Sequence, residues 1–267
     1  MLSLCNLSLT FSPGTPNAHK ALKDLSLTLA PGDFVTIVGS NGAGKSTLFG
    51  AICATLPLDS GTVLLDGQDL TGLPEYKRAL TIGHLFQDPM KGTAPGMTIA
   101  ENLALAYARA SRAPLSRALR KGDLDRFRVA LSAFHMGLED RLSAKVGLLS
   151  GGQRQALTLL MSTIAHPKLL LLDEHTAALD PATAQTVLRI TQDIIDSQKL
   201  TTMMITHNLQ SALALGNRTI MMDDGEIVLD LCGEARACMT PSDLLSCYAK
   251  ARGSALDNDR ILLSMAK

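Results

Sequence analysis

The sequence predicts an α/β fold built on a largely parallel sheet with helices on both sides. Three observations predict it. Apolar runs of strand length recur at Phe34 to Val38, Ile82 to Phe86, Leu169 to Leu172 and Thr202 to Thr206. Stretches carrying helix start and stop signals lie between them, and strands alternating with helices pair in parallel. Finally, a glycine-rich turn, Gly39 to Gly44, joins one of these runs directly to a helical stretch.

Taken in order, Leu25, Leu27 and Leu29 alternate as in a strand, and the turn Pro31-Gly32 leads into the strand ending at Val38. A helix is expected from near Gly44. Gly61 to Asp66 and Ile82 to Phe86 read as strands. Phe86 to Glu101 contains Pro89, Gly92, Pro95 and Gly96, so it is neither regular helix nor central strand. Thr98-Ile99-Ala100-Glu101 has the capping-box pattern and opens a helix to about Ala110.

Residues from about 91 to 150 read as a helical subdomain inserted into the α/β core. Arg109, Arg112, Arg117, Arg120, Lys121, Arg126 and Arg128 are interleaved with Leu and Ala at helical spacing. Leu124, Phe127, Leu131 and Phe134 share one helix face, with Asp123 as N-cap and Gly137 as the C′ residue. Aromatic interleaving is missing, so the arginines read as a solvated face rather than a nucleic-acid patch. Gly151 starts a further helix, Leu169 to Leu172 is a buried strand, and Pro181 sits at the first position of a helix to about Gln198. Thr202 to Thr206 is a strand. Thr219 to Met222, Asp224-Gly225 and Glu226 to Leu229 form a hairpin signal. Residues 232–267 read as a small helical extension.

Bulk properties narrow the function. The 267 residues carry 25 basic and 25 acidic side chains, so no global field steers the chain to nucleic acid or anionic lipid. Trp is absent and aromatics are 3%, which argues against base-stacking platforms. The 5 cysteines show no CxxC pair and suit a reducing compartment. Neither a secretion signal nor an apolar run of membrane-spanning length is expected, so a membrane role requires a partner.

The chemistry sits in short motifs. Gly39-Ser40-Asn41-Gly42-Ala43-Gly44-Lys45-Ser46-Thr47 follows a strand and opens a helix, the setting of a P-loop. Its glycines let backbone N–H groups turn toward phosphates, and the helix N-terminus adds a favourable dipole. Lys45 is placed to reach the β- and γ-phosphates of ATP and Ser46 to ligate Mg2+. Asp173 ends an aliphatic strand where a second Mg2+-contacting carboxylate is needed. Glu174 beside it can orient and polarise the attacking water. Ser150-Gly151-Gly152 at a helix start offers a hydroxyl and open N–H groups to an anion, although an N-cap on a flexible turn is the plainer alternative. Taken alone, Phe11 reads equally as a strand core residue, and His207 as a satisfied polar residue at a strand end.

In this order and spacing, the P-loop, Gln87, Leu149-Ser150-Gly151-Gly152-Gln153, Asp173-Glu174, Leu179-Asp180 and His207 resemble the ATP-binding cassette (ABC) ATPases. The resemblance covers about residues 1–231. It implies a P-loop NTPase core with an N-terminal antiparallel β subdomain and the inserted helical subdomain. Phe11 matches the aromatic that stacks on adenine. Gln87 senses Mg2+ and the γ-phosphate and signals to a membrane partner, with Met90 and Met97 as contacts or as core filling. Ser150, Gly151, Gly152 and Gln153 bind ATP held mainly by a second copy, Asp180 links the two sites, and His207 contacts the γ-phosphate.

The narrower stretches Phe86-Gln87-Asp88-Pro89, Gly92-Thr93-Ala94-Pro95 and Asp173 to Asp180 are similar to a bacterial subgroup. Its members are tryptophan/tyrosine-type uptake ATPases, encoded beside permeases resembling branched-chain amino acid importers. Implied partners are a second copy through an ATP sandwich, integral membrane permease subunits and an extracytoplasmic solute-binding protein, with the chain peripheral on the cytoplasmic face of the membrane and no nucleic acid. An exporter ATPase and a non-transport ABC ATPase are the alternatives. The latter's repair and translation types carry a long coiled coil or tandem cassettes. Here about 100 residues separate Lys45 from Ser150, and one P-loop is present. One position departs from the family: most members have Pro after the catalytic Glu, and this chain has His175, which reads as a packing choice, with tuning of Glu174 or the water as the alternative.

Overall fold

A computed structural model describes residues 1–88, 90–111 and 121–252. Pro89, Arg112, Arg117, Arg120 and the segment 253–267 of the expected helical extension lie outside the described residues. The chain divides into two units, one formed by Met1–Ala79 with the chain from Leu200 onward, the other by Leu80–Lys199.

The first unit opens with an antiparallel sheet of strands β1 (Leu2–Phe11), β2 (His19–Leu29), β4 (Ser60–Leu65) and β5 (Gln68–Asp69), in the order β2-β1-β4-β5. Leu2, Leu4, Leu7 and Leu9 of β1 are all buried. The odd step from Leu4 to Leu7 would send them to opposite faces of a strict pleat, but the register shifts between them and Asn6 takes φ 50°. That bulge returns both leucines to the core.

The same unit holds β3 (Phe34–Gly39), every residue of which is buried, hydrogen-bonded in parallel to β8 (Thr201–Ile205) on one side and β9 (Arg218–Asp223) on the other. A strand covered on both faces reads as a continuous apolar run, which is why Phe34 to Val38 stands out in the sequence. β10 (Glu226–Cys232) closes the hairpin with β9 through Asp224 and Gly225, at φ 48° and 80°. Two positive φ values at a two-residue turn match the right-handed strand twist.

Helix α1 (Lys45–Cys53) leaves β3 through the Gly39–Gly44 turn. Its last carbonyls, of Ala51 and Ile52, accept from the buried guanidinium of Arg78, which lies on the short helix α2 (Glu75–Arg78). A cation at a helix C-terminus complements the dipole there. Val38 and Met221 pack with Leu209 and Ala212 of α7 (Leu209–Ala214) and with Leu244 and Tyr248 of α9 (Pro241–Arg252). A short α8 (Gly233–Ala237) follows β10; its buried Arg236 donates to Thr219 Oγ1 and to the carbonyls of Ala212 and Leu215.

The second unit contains the parallel pair β6 (Ile82–Leu85) and β7 (Leu169–Asp173) with helices α3 (Ile99–Ser111), α4 (Lys121–Ser132), α5 (Gly151–Thr163) and α6 (Pro181–Gln198). α3 starts as its sequence predicts: Glu101 N–H donates to Thr98 Oγ1, and Thr98 N–H donates to the Glu101 carboxylate. Those bonds from Thr98 lower the Glu101 pKa. In α4, Phe127 and Leu131 are buried while Arg126 and Arg128 face solvent, and Phe134 is buried in the turn beyond it.

Two expectations about α4 need correction. Asp123 lies inside the first turn rather than at the N-cap, because the helix already runs from Lys121; an acidic residue suits either place, since both face the positive end of the dipole. Gly137 is left-handed at φ 68° but is not C′, since α4 ends at Ser132 and a turn through His135, itself at φ 53°, separates them.

Candidate functional site

In the first unit the Gly39–Gly44 turn is shaped by close backbone approach. Gly39 has φ 152°, and a Cβ there would stand 2.1 Å from the Met222 carbonyl oxygen. Gly44, at φ 94°, would place a Cβ 2.6 Å from the Ala21 carbonyl oxygen. Gly42, at φ 83°, has open space around it. Glycine is therefore required by packing at two of these positions and by backbone conformation at all three.

Ser40 Oγ donates to Asp223 Oδ1 at 3.1 Å, and Gly225 N–H to the Ala43 carbonyl at 3.1 Å, tying the loop to the β9–β10 turn. The Lys45 side chain is buried and curls back so that Nζ donates to the carbonyls of Gly39 and Ser40 at 2.8 Å each. Asn41, Gly42 and Ser46 are exposed. Gly44 is the N-cap of α1, and no acidic residue stands in its first turn. A loop of left-handed glycines, a buried ammonium and a helix whose first turn carries no acidic residue suit a polyphosphate.

Phe11 closes β1 opposite His19 and is 40% exposed, so it is not a core residue. His207 follows β8, half-buried, immediately before Asn208, which caps α7 by accepting the Ser211 N–H.

In the second unit Glu174 leaves β7 in the left-handed region, at φ 45°. Its carboxylate Oε2 accepts from Gln87 Nε2 at 3.2 Å. The structure thus brings together two sequence-predicted residues that lie far apart in the chain. Asp173, the last residue of β7, is half-buried.

Ser150 is the N-cap of α5: its Oγ accepts the Gln153 N–H and its N–H donates to Gln153 Oε1, each at 3.3 Å. Gln153 Nε2 donates to the Met136 carbonyl, so this side chain is engaged within its own unit. Both the anion-facing and the N-cap readings of Ser150 are therefore compatible with its position, the hydroxyl being exposed. Asp180 is the N-cap of α6 and accepts the Thr183 N–H at 3.0 Å; hydrogen bonds from Thr183 hold its carboxyl below the usual range.

Three features escape a reading of the motifs alone. A Cβ on Gly152 would stand 2.1 Å from Thr183 Cγ2, and one on Gly151 3.2 Å from Leu179 Cδ2. These glycines let the start of α5 lie against the start of α6, a role separate from any anion. Arg154 donates to the carbonyls of Val146, Gly147 and Leu149 and contacts Met90 Sδ at 2.9 Å. His175 is buried and meets Thr191 of α6. No motif spacing points to Thr183 or Thr191, because both are ordinary helix residues until the fold brings them to the site.

Comparison with known proteins agrees with this geometry. The family model described as ABC transporter matches residues 22–177, more than half of the chain. The chain is 42% identical to the tyrosine transport ATP-binding protein of Clostridioides difficile, over 94% of this chain and 100% of that one. It is 33% identical to the thiamine import ATP-binding protein ThiQ of Escherichia coli, over 78% of this chain and 85% of that one. Among solved structures, the ADP conformation of the ATP-binding cassette MJ1267 superposes with TM-score 0.76 at 25% identity, covering 93% of this chain and 98% of that one. The dimeric post-hydrolysis cassette MJ0796 with ADP and Pi gives TM-score 0.72 at 28% identity, covering 87% and 98%. The fold is thus an α/β P-loop NTPase, and the chain belongs to the ABC transporter ATP-binding family, which binds and hydrolyses ATP.

Proposed function

We propose that this chain is the ATP-hydrolysing subunit of a bacterial importer that takes up an amino acid or a related small solute through separate permease subunits. The identity of 42% to a tyrosine transport ATP-binding protein, extending over its whole length, is the observation that carries this reading. Further relatives named for import of sulfonates, methionine and thiamine support uptake over export. Among the described residues no helix is long and apolar enough to cross a membrane, consistent with a separate permease.

The family resemblance, together with the chemistry of the side chains, supports the following roles. The Gly39–Thr47 loop and the N-terminus of α1 would bind the phosphates of ATP, with Lys45 neutralising charge that develops on the γ-phosphoryl oxygens. Phe11, exposed at the end of β1, offers a face to adenine. Ser46, Asp173 and Gln87 carry the oxygen donors that Mg2+ prefers and would hold it. When bound, Mg2+ neutralises phosphate charge. Glu174 accepts a hydrogen bond from water and orients it for in-line attack; His207 donates to the γ-phosphate. Ser150, Gly151 and Gly152 would face ATP held by a second copy, with Gln153 fixing their helix start and Asp180 signalling between the copies. A solute-binding protein outside the membrane would deliver the solute.

The loop after Gln87 supports coupling to a permease. Its near end is bonded to Glu174. Its far end is clamped: Asn102 accepts the Ala94 N–H and donates to the Ala94 carbonyl, while the Pro95 and Met97 carbonyls accept from Gly147 and Val146. Met90, exposed between these ends, is the adaptable contact. Cross-linking from positions 90 to 97 in cells should capture a multi-span membrane protein, and vesicles containing that pair with the solute-binding protein should accumulate labelled amino acid in an ATP-dependent way. Capture of a soluble factor or of nucleic acid would replace this reading with a non-transport one.

A further inference from the structure

Glu174 sits on a backbone turn that costs energy to hold. Its φ of 45° is left-handed, a region a glutamate does not favour, and the turn is bridged locally by Ala177 N–H to the Glu174 carbonyl at 3.0 Å and Leu179 N–H to the Thr176 carbonyl at 3.2 Å. The next residue is tied to α6. His175 is 3% exposed, and its Nε2 stands 3.2 Å from Thr191 Oγ1.

The direction of that bond can be assigned. The Thr191 hydroxyl has one hydrogen and donates it to the Val187 carbonyl at 2.8 Å, an acceptor only. Oγ1 must therefore accept from His175, which places the imidazole proton on Nε2. The turn is consequently fastened to one helix twice, through Asp180 at the N-cap of α6 and through Thr191 further along it.

We infer that His175 is a positioning residue, its Nε2–H bond to Thr191 fixing the turn that presents the Glu174 carboxylate beside Gln87. This rests on the reading of Glu174 as the group that orients water. A residue in that role affects the chemical step and leaves nucleotide affinity alone, because the phosphate cradle lies elsewhere in the chain.

The test measures kcat and KM for ATP of the purified full chain and its variants, with binding of a fluorescent ATP analogue as the check on folding. His175→Leu fills the space without a donor and should lower kcat about tenfold or more, with KM within about twofold. His175→Gln restores an N–H at a similar reach and should recover most of the rate. Thr191→Val removes only the hydroxyl and should lower kcat in the same way, and the double variant with His175→Leu should be no worse than either alone. If His175→Leu does not fold, Thr191→Val decides. Wild-type kcat in Thr191→Val, or loss of rate matched by loss of nucleotide affinity, would overturn the inference. Near wild-type turnover in Glu174→Gln would instead overturn the reading of Glu174 on which it rests.

Discussion

Glu174 and Lys45 illustrate how single residues divide the work. The Gln87 amide donates to Glu174 Oε2 and so orients the carboxylate. Replacing Glu174 with Gln keeps the shape and removes the anionic acceptor. ATP should still bind while turnover falls by about two orders of magnitude or more, read by comparing binding with steady-state hydrolysis. Lys45→Ala should instead weaken nucleotide binding itself, since the phosphates lose their counter-charge. The identities of these residues were legible in the sequence because the chemistry fixes both their type and their spacing. His175 was legible as a departure from the family, open between packing and tuning of Glu174, and Thr191 not at all: the contact joins residues 16 apart, which no local pattern encodes. His175 also has a stability consequence. Its folded pKa of about 4 lies below the ordinary 6.5, so as pH falls through that window the unfolded chain takes up a proton that the folded chain refuses. Stability should therefore drop between pH 6.5 and 4, and His175→Gln should flatten this limb in urea titrations. His84, lowered to about 4 by burial, supplies part of what remains.

At the level of elements, helix starts were the most legible features. The Thr98–Glu101 box, the Ser150 cap and the Pro181 start all follow from side chains that satisfy orphan amides or lack one. Ends were less legible: α4 stops at Ser132, and Gly137 offered a false stop. The strand β1 was legible only in part, because a bulge at Asn6 hides the alternation of its leucines. The packing of α5 on α6 was not legible, and it gives Gly152 a structural duty. Gly152→Ala should destabilise the chain by about 1–3 kcal/mol, because the new methyl overlaps Thr183 Cγ2. Thr183→Ser removes that methyl and should restore most of the loss, whereas additive losses in urea melts would mean that the glycine serves only the loop.

For the whole molecule, the proposed function makes the chain one half of an ATP-driven pair. The Gly39–Gly44 loop lies in one unit, and the Ser150 helix start and Glu174 lie in the other. Under the proposed function the transported solute leaves no mark in this chain, because separate subunits would hold that pocket. The claim on which the account turns is that Ser150 and its glycines meet ATP held by a second copy. Sedimentation of the Glu174→Gln protein with saturating ATP and Mg2+ tests it most directly. A nucleotide-dependent dimer that Ser150→Arg abolishes is the predicted result. A monomer at saturating ATP, or a dimer that forms equally well in the Ser150→Arg variant, would contradict it.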